Sequence, residues 1–371
     1  MSEHCQIPRA VEKIMASSHC SVAYIGGSLT VGVGASDVSR TSWRALFKGW
    51  LYREYHPRYH CQVSEIMGAI GASESYVTAF TLNRNVMPAN PDLALIEFCV
   101  NDRGVPDSDL VIKGMEGMTR ALLSSRNGCD VIIIGTGDRD RAVDHTLHRR
   151  VAEHYDVPFV DMQSYIYDHI GPRGESWDDV SIPFVENDVC HMNDYGNFLC
   201  FEALKKCFEE QAELFKDGRR PGRGAPVPEP IVSDELQFTR LVNPARRSKE
   251  IVLEGDWRKK PDEFVPWYFD DLMAGAPGAG LTFEFEGTAA AVFGLMYNNG
   301  LKLEAELDGK PVSGAYLRHT IEFGKGLVLG HGLPAGRHTV RLTVSRPSKR
   351  HNKLENPTAE VAYLGVAGPP G

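Results

Sequence analysis

Hydrophobic positions along the first 215 or so residues follow two alternating patterns. Short, mostly apolar runs occur at residues 21–25 (SVAYI), 93–100 (LALIEFCV), 131–134 and 158–160, and each reads as a β-strand, with 61–67 (CQVSEIM) as a further strand candidate. Between them the spacing changes to that of a helix. Trp43, Leu46, Phe47, Trp50 and Leu51 stand at i, i+3, i+4, i+7 and i+8, residues 76–82 and 146–155 read as further helices, and a closing helix spans about 195–215. The run at 93–100 has almost no polar position, as a strand covered on both faces requires. Such alternation predicts a parallel five-stranded sheet with right-handed crossovers, a three-layer α/β domain of the flavodoxin-like kind. No internal repeat is present.

The pattern changes at residues 216–230 (KDGRRPGRGAPVPEP), rich in Pro, Gly and charge, which read as a linker. Beyond it short strands are predicted at 250–254, 281–286, 289–296, 301–307, 327–329, 338–345 and 361–366, with Asp308-Gly309 as a hairpin turn. The segments LTFEFE and LKLEAEL alternate apolar and polar residues, as half-buried antiparallel strands do. A C-terminal β-sandwich, jelly-roll-like, is the expectation. The predicted organisation is therefore an α/β domain over 1–216, a linker over 217–245 and a β-sandwich over 246–371.

Composition narrows the partners. A net charge of −9 argues against nucleic acid, and no apolar run is long enough to span a membrane. The N-terminal eleven residues are polar and charged where an export signal needs an apolar core. The eight cysteines all fall within the first 207 residues, none in a CxxC spacing, and are expected as free thiols. Together these predict a cytoplasmic protein, of oligomeric state that the sequence leaves open.

Four short pieces carry candidate chemistry. Gly26-Gly27-Ser28-Leu29-Thr30 ends the first strand and sets a serine at the carboxyl edge of the sheet; alone, it reads equally as a helix-capping turn. Gly68-Ala69-Ile70-Gly71 follows the second strand, and a glycine there offers a backbone N–H without a side chain in the way. Asn101-Asp102 follows the apolar run at 93–100, where an amide enters the ligand crevice or caps a turn. Asp188-Val189-Cys190-His191 precedes the last helix, with a spacing that lets the carboxylate meet the imidazole. If the strand order is 2-1-3-4-5, the first three pieces meet at one switch point.

In this order the pieces resemble the blocks of the SGNH (GDSL-like) hydrolase superfamily over roughly residues 18–215. Ser28 stands in the first block as GGSLT where the family often has GDSL. Gly71 matches the second block, with Gly68 as a rival, and Asn101 the third, usually GxND. Asp188 and His191 match DxxH, extended by Asn193 and Gly196. Gly27 replaces the acidic residue of GDSL, Cys99 replaces the glycine of GxND, and the asparagine usual near the second-block glycine has no counterpart. The resemblance implies a serine esterase with Ser28 as nucleophile, His191 as base, Asp188 as its orienter, and Ser28, Gly71 and Asn101 as oxyanion donors. It implies no cofactor and no metal. A β-sandwich beside such a domain is similar to the accessory domains of carbohydrate esterases, so a short acyl, acetyl, ester on a small molecule or oligosaccharide is the expected substrate. A lipid or thioester hydrolase, an acyltransferase and a non-catalytic sugar-binding protein are the alternatives. Trp257, Trp267, Tyr268 and Phe269 are either a sugar-stacking surface or packing within the sandwich or against the first domain, and Arg103 either touches a substrate acid or forms a surface ion pair.

Overall fold

The structure, a computed structural model, describes residues 3–16, 18–182, 188–219, 226–246, 248–263, 266, 268–296, 301–312, 323–345 and 358–368. The chain forms two compact units, Met1–Ser75 with Asn85–Val232, and Tyr76–Arg84 with Ser233–Gly371.

The first unit is built on strands β1 (His19–Gly26), β2 (Gln62–Met67), β3 (Leu93–Glu97), β4 (Asp130–Gly135) and β5 (Phe159–Asp161). All pair in parallel, in the order β2-β1-β3-β4-β5. Helices α1 (Pro8–Met15), α2 (Ser28–Val31), α3 (Trp43–Tyr59), α6 (Ser108–Leu123), α7 (Thr146–His154), α8 (Met162–Ile170), α9 (Trp177–Val180) and α10 (Asp194–Lys216) accompany the sheet, while α4 (Ser75–Ala79) and α5 (Leu82–Asn85) fall almost wholly in the stretch counted with the second unit. Alternate residues of the central strands serve opposite faces. Val22, Tyr24, Leu93, Leu95, Ile132 and Ile134 share a core with apolar residues of α1, α3, α8 and α10, while α6 and α7 pack on β4 from the other layer. The expected three-layer sheet and strand order are thus present. The helix expected at 76–82 is instead two short helices, α4 and α5, broken at Phe80-Thr81, where the Thr81 hydroxyl donates to the Thr78 carbonyl at 2.9 Å.

Part of the segment read as linker is held in place. Glu116, buried in α6, accepts the backbone N–H groups of Ile231 (2.7 Å) and Val232 (3.0 Å), and the His154 ring bonds the Glu229 carbonyl (2.7 Å).

In the second unit, β6 (Thr239–Val242), β7 (Ile251–Glu254), β8 (Trp257–Lys260), β9 (Leu272–Gly275), β10 (Gly280–Gly287), β11 (Ala289–Met296), β12 (Lys302–Leu307), β13 (Lys310–Pro311), β14 (Phe323–Gly330), β15 (Gly336–Ser345) and β16 (Ala359–Ala367) form two antiparallel sheets. One runs β13-β12-β15-β10-β7, the other β14-β11-β16-β9-β8, with β6 added beside β16. Phe283, Phe285, Leu303 and Leu342 of the first sheet meet Val292, Leu329, Leu364 and Val366 of the second in one core, the sandwich expected from the alternating segments. Strand β6 falls inside the stretch expected as linker. Trp257 packs against the sandwich core, its indole N–H donating to the Gly280 carbonyl at 2.8 Å, and Tyr268 and Phe269 are buried, Phe269 against the ring of Tyr363 of β16; Trp267 lies outside the described residues.

Candidate active site

The carboxyl edge of β1 turns into α2 through Gly26-Gly27. Gly27 is the helix N-cap, with φ −90° and ψ −153°, and Ser28 is the first helical residue; the serine side chain does not cap the helix. Its Oγ lies 2.7 Å from His191 Nε2. On the far side of the ring, His191 Nδ1 lies 2.5 Å from Asp188 Oδ2. The other Asp188 oxygen accepts the N–H groups of Cys190 (3.0 Å) and His191 (2.9 Å), which fixes the turn between carboxylate and imidazole. Partial burial alone would raise the Asp188 pKa, but these hydrogen bonds outweigh it and hold the carboxyl below its ordinary value.

The histidine loop is clamped from behind. His191 carbonyl accepts from Ile182 N–H (3.1 Å), Asn193 N–H donates to Val180 carbonyl (3.0 Å), and the Asn193 side chain caps α10 by accepting the Gly196 N–H at 3.0 Å. Buried Asn197 then joins this loop to α3, donating to the Met192 carbonyl (2.9 Å) and accepting from Trp43 N–H (3.0 Å). The HxNxxG extension seen in the sequence is this helix start.

Gly71 lies beside the serine: a Cβ built on it would be 3.8 Å from Ser28 Cβ. Gly68 does not. Its N–H donates to the Tyr24 carbonyl at 2.9 Å, and a Cβ there would press on Val86. The Asn101 side chain lies against Gly27, where a Cβ would come within 2.9 Å of its Cγ and 3.2 Å of its Nδ2. Ser28, Gly71, Asn101, Asp188 and His191 are thus brought together from four separate stretches of chain. Arg103 turns aside to pair with buried Asp138. Cys99 is buried, its thiol directed at the Ile134 carbonyl (3.6 Å), so replacing the block glycine fills space between β3 and β4 without displacing Asn101.

Three buried polar residues near the site escaped the sequence reading. Glu97, the last residue of β3, accepts from Thr30 Oγ1 of α2 (2.9 Å) and Thr136 Oγ1 (2.6 Å). Burial raises its pKa despite those bonds. Asp102 accepts from Ser75 N–H (2.9 Å) with one oxygen and meets His148 Nε2 (2.9 Å) with the other. The signal for Asp102 was its place directly after Asn101; nothing in the spacing pointed to His148.

Among the described residues, Asp188, Cys190 and His191 offer ligand atoms within 4.8 Å of one another. Two of the three are already joined to each other and to Ser28, and burial pushes the Cys190 thiol up to about 12. A metal there would have to take His191 from its present partners.

A serine, imidazole and carboxylate stand in line at the carboxyl edge of a 2-1-3-4-5 sheet, an arrangement suited to nucleophilic attack on an ester. Residues 24–197 match the model of the GDSL-like lipase/acylhydrolase family. No curated protein matches the chain. Across both units the fold is similar to that of a two-domain esterase (CEX) active on acetylated mannans. Against its crystal structure with mannopentaose the TM-score is 0.79 at 17% identity, covering 99% of this chain and 96% of that one. Against a second crystal structure of a two-domain esterase of that description the TM-score is 0.83 at 16% identity, with the same coverage. No helix among the described residues is long and apolar enough to cross a membrane.

Proposed function

We propose that this chain is a serine esterase that removes a short acyl group, acetyl, from a carbohydrate through an acyl-enzyme on Ser28. The observation that carries the reading is the continuous line Ser28 Oγ–His191–Asp188, at 2.7 and 2.5 Å. Ser28 Oγ attacks the ester carbonyl as His191 Nε2 takes its proton. Asp188, held ionised by its three hydrogen bonds, keeps the ring's other nitrogen protonated and stabilises the imidazolium. The tetrahedral oxyanion accepts from the Ser28 and Gly71 N–H groups and the Asn101 amide. His191 then returns its proton to the departing alcohol, and water attacks the acyl-enzyme by the same route. The carbohydrate alcohol is supported by the two-domain fold shared with an esterase active on acetylated mannans.

The test compares p-nitrophenyl acetate with longer acyl esters, and then follows acetate release from acetylated manno-oligosaccharides. Ser28→Ala and His191→Ala should lower turnover about 10⁴-fold or more. Folded Ser28→Ala hydrolysing acetate esters at the wild-type rate would sink the mechanism. Preference for long acyl chains, or no acetate released from the sugars, would sink the substrate.

A further inference from the structure

Two of the three donors assigned to the oxyanion, the Gly71 N–H and the Asn101 amide, sit on separate loops, and the buried Asp102 carboxylate ties those loops together. One oxygen accepts the Ser75 N–H at the end of the loop that begins with Gly71; the other meets His148 Nε2 on α7. Asp102 itself follows Asn101 directly, and its backbone N–H donates to the Phe98 carbonyl at 2.8 Å, closing the turn that carries the amide. The loop after β2 is pinned at its other end as well, where Ile70 N–H donates to the Gly26 carbonyl at 3.1 Å, one residue before Gly27. Between the pins Ala72 has a left-handed backbone (φ +56°), unusual for a residue with a side chain and costly unless its surroundings hold it. The Asp102 and His148 side chains are only 2% and 3% exposed, so this carboxylate is not a solvated surface group. A buried carboxylate needs its partners, and those it has are fixed elements of the oxyanion frame.

We infer that Asp102 is a positioning residue for the esterase reaction: it locks the Gly71 loop and the Asn101 turn into one rigid frame around Ser28, with His148 holding its second oxygen. The inference rests on the oxyanion roles proposed above. Small displacements of preorganised donors reduce turnover sharply and leave substrate binding largely intact.

The experiment measures kcat and KM for p-nitrophenyl acetate, with thermal unfolding of each variant. Asp102→Ala should lower kcat about 10- to 100-fold with KM little changed. Asp102→Asn should recover most of it. Its carbonyl oxygen still accepts the Ser75 N–H, and its NH₂ can donate to His148 Nε2 once the ring proton moves to Nδ1, which has no partner among the described residues. If Asp102→Ala does not fold, Ser75→Pro carries the test. It removes the N–H that Asp102 holds, at a first helical position where proline is tolerated, and the buried Ser75 hydroxyl that goes with it has no partner among the described residues. Ser75→Pro should show the same fall in kcat. A purely structural role would lower the unfolding temperature and leave kcat of the folded enzyme unchanged. Wild-type kcat in folded Asp102→Ala or Ser75→Pro overturns the inference, as do equal losses in Asp102→Ala and Asp102→Asn. Ser28→Ala, run alongside, separates the two readings: an active Ser28→Ala fells the mechanism itself, whereas an inactive one with unimpaired Asp102 variants fells only the positioning role.

Discussion

Replacing Gly27 with alanine should disable an oxyanion donor without touching a reacting group. Gly27 has φ −90° and ψ −153°, an extended backbone at the margin of the β region and without the strain of a positive φ. Its missing Cβ is where the Asn101 side chain lies: an added methyl would overlap the amide oxygen and sit 2.9 Å from Cγ and 3.2 Å from Nδ2. Something must move, and the movable group is the end of the asparagine. Asn101 makes no hydrogen bond with a described residue, so its displacement costs little folding energy. The alanine also reduces the freedom of the unfolded chain, a gain of about 0.4–1 kcal/mol. Stability should therefore change by no more than about 1 kcal/mol in either direction. Turnover should not escape so lightly. Losing one preorganised oxyanion donor typically costs about 2.7–4 kcal/mol in the transition state, or roughly 100- to 1000-fold in kcat, and this is the ceiling for Gly27→Ala. The assay is steady-state hydrolysis of p-nitrophenyl acetate by wild type, Gly27→Ala, Asn101→Ala and the double variant, with thermal unfolding of each. If the methyl acts by moving the amide, the double variant is no slower than Asn101→Ala alone. Folded Gly27→Ala with wild-type kcat, or a double variant whose loss is the full product of the single losses, would refute the reasoning. The same contact explains why glycine stands where the GDSL form of the motif has an aspartate: with Asn101 in its present rotamer, no side chain fits at residue 27.

Two further outcomes follow from groups away from the serine. Burial pushes the Asp130 carboxyl up to about 7, although its Oδ2 accepts the Ala10 N–H of α1 at 2.8 Å. Because the unfolded chain releases this proton near the ordinary carboxylate value and the folded one near 7, the stability it contributes is complete at low pH and is lost as pH rises toward 7. Asp130→Asn, which keeps the acceptor, should flatten that part of the pH dependence of the unfolding temperature; an unchanged profile would contradict it. Glu116→Ala should release the segment ending at Val232 and lower stability by about 2–3 kcal/mol, since three hydrogen bonds to one buried carboxylate disappear with it. Limited proteolysis of residues 226–232 reads this directly, and cleavage no faster than in wild type would count against it.

What was legible in the sequence, and what was not, separates by how a residue's task is encoded. The central strands β1, β3 and β4 could be read because burial on both faces leaves them almost purely apolar, and residues 93–96 show no exposed position at all; edge strand β2 (QVSEIM) has no buried position. Strand β8 could not: Trp257–Lys260 is half-buried at its ends and exposed at Arg258 and Lys259, so it has neither an apolar run nor a clean alternation, and its pairing with β9 comes from the tertiary fold. Helix α6 was passed over although Val111, Met115, Met118 and Leu122 follow a helical period; what the sequence does not show is that twelve of its sixteen residues are buried, Lys113 and Glu116 among them. The site divides in the same way. Ser28, Asn101 and the Asp188/His191 pair each stand just past or before an element that the pattern reveals, so their convergence follows from strand order. Asp102 and His148 meet across 46 residues through a buried carboxylate whose need for partners arises only once it is desolvated. Ser28 shows how far local reading goes. A serine opening a helix is ordinarily its cap, but here Gly27 occupies the cap position and frees the hydroxyl to face His191. The glycine pair that made the serine look like a turn residue is thus what leaves it free to react, and the same small residue leaves the room that Asn101 occupies.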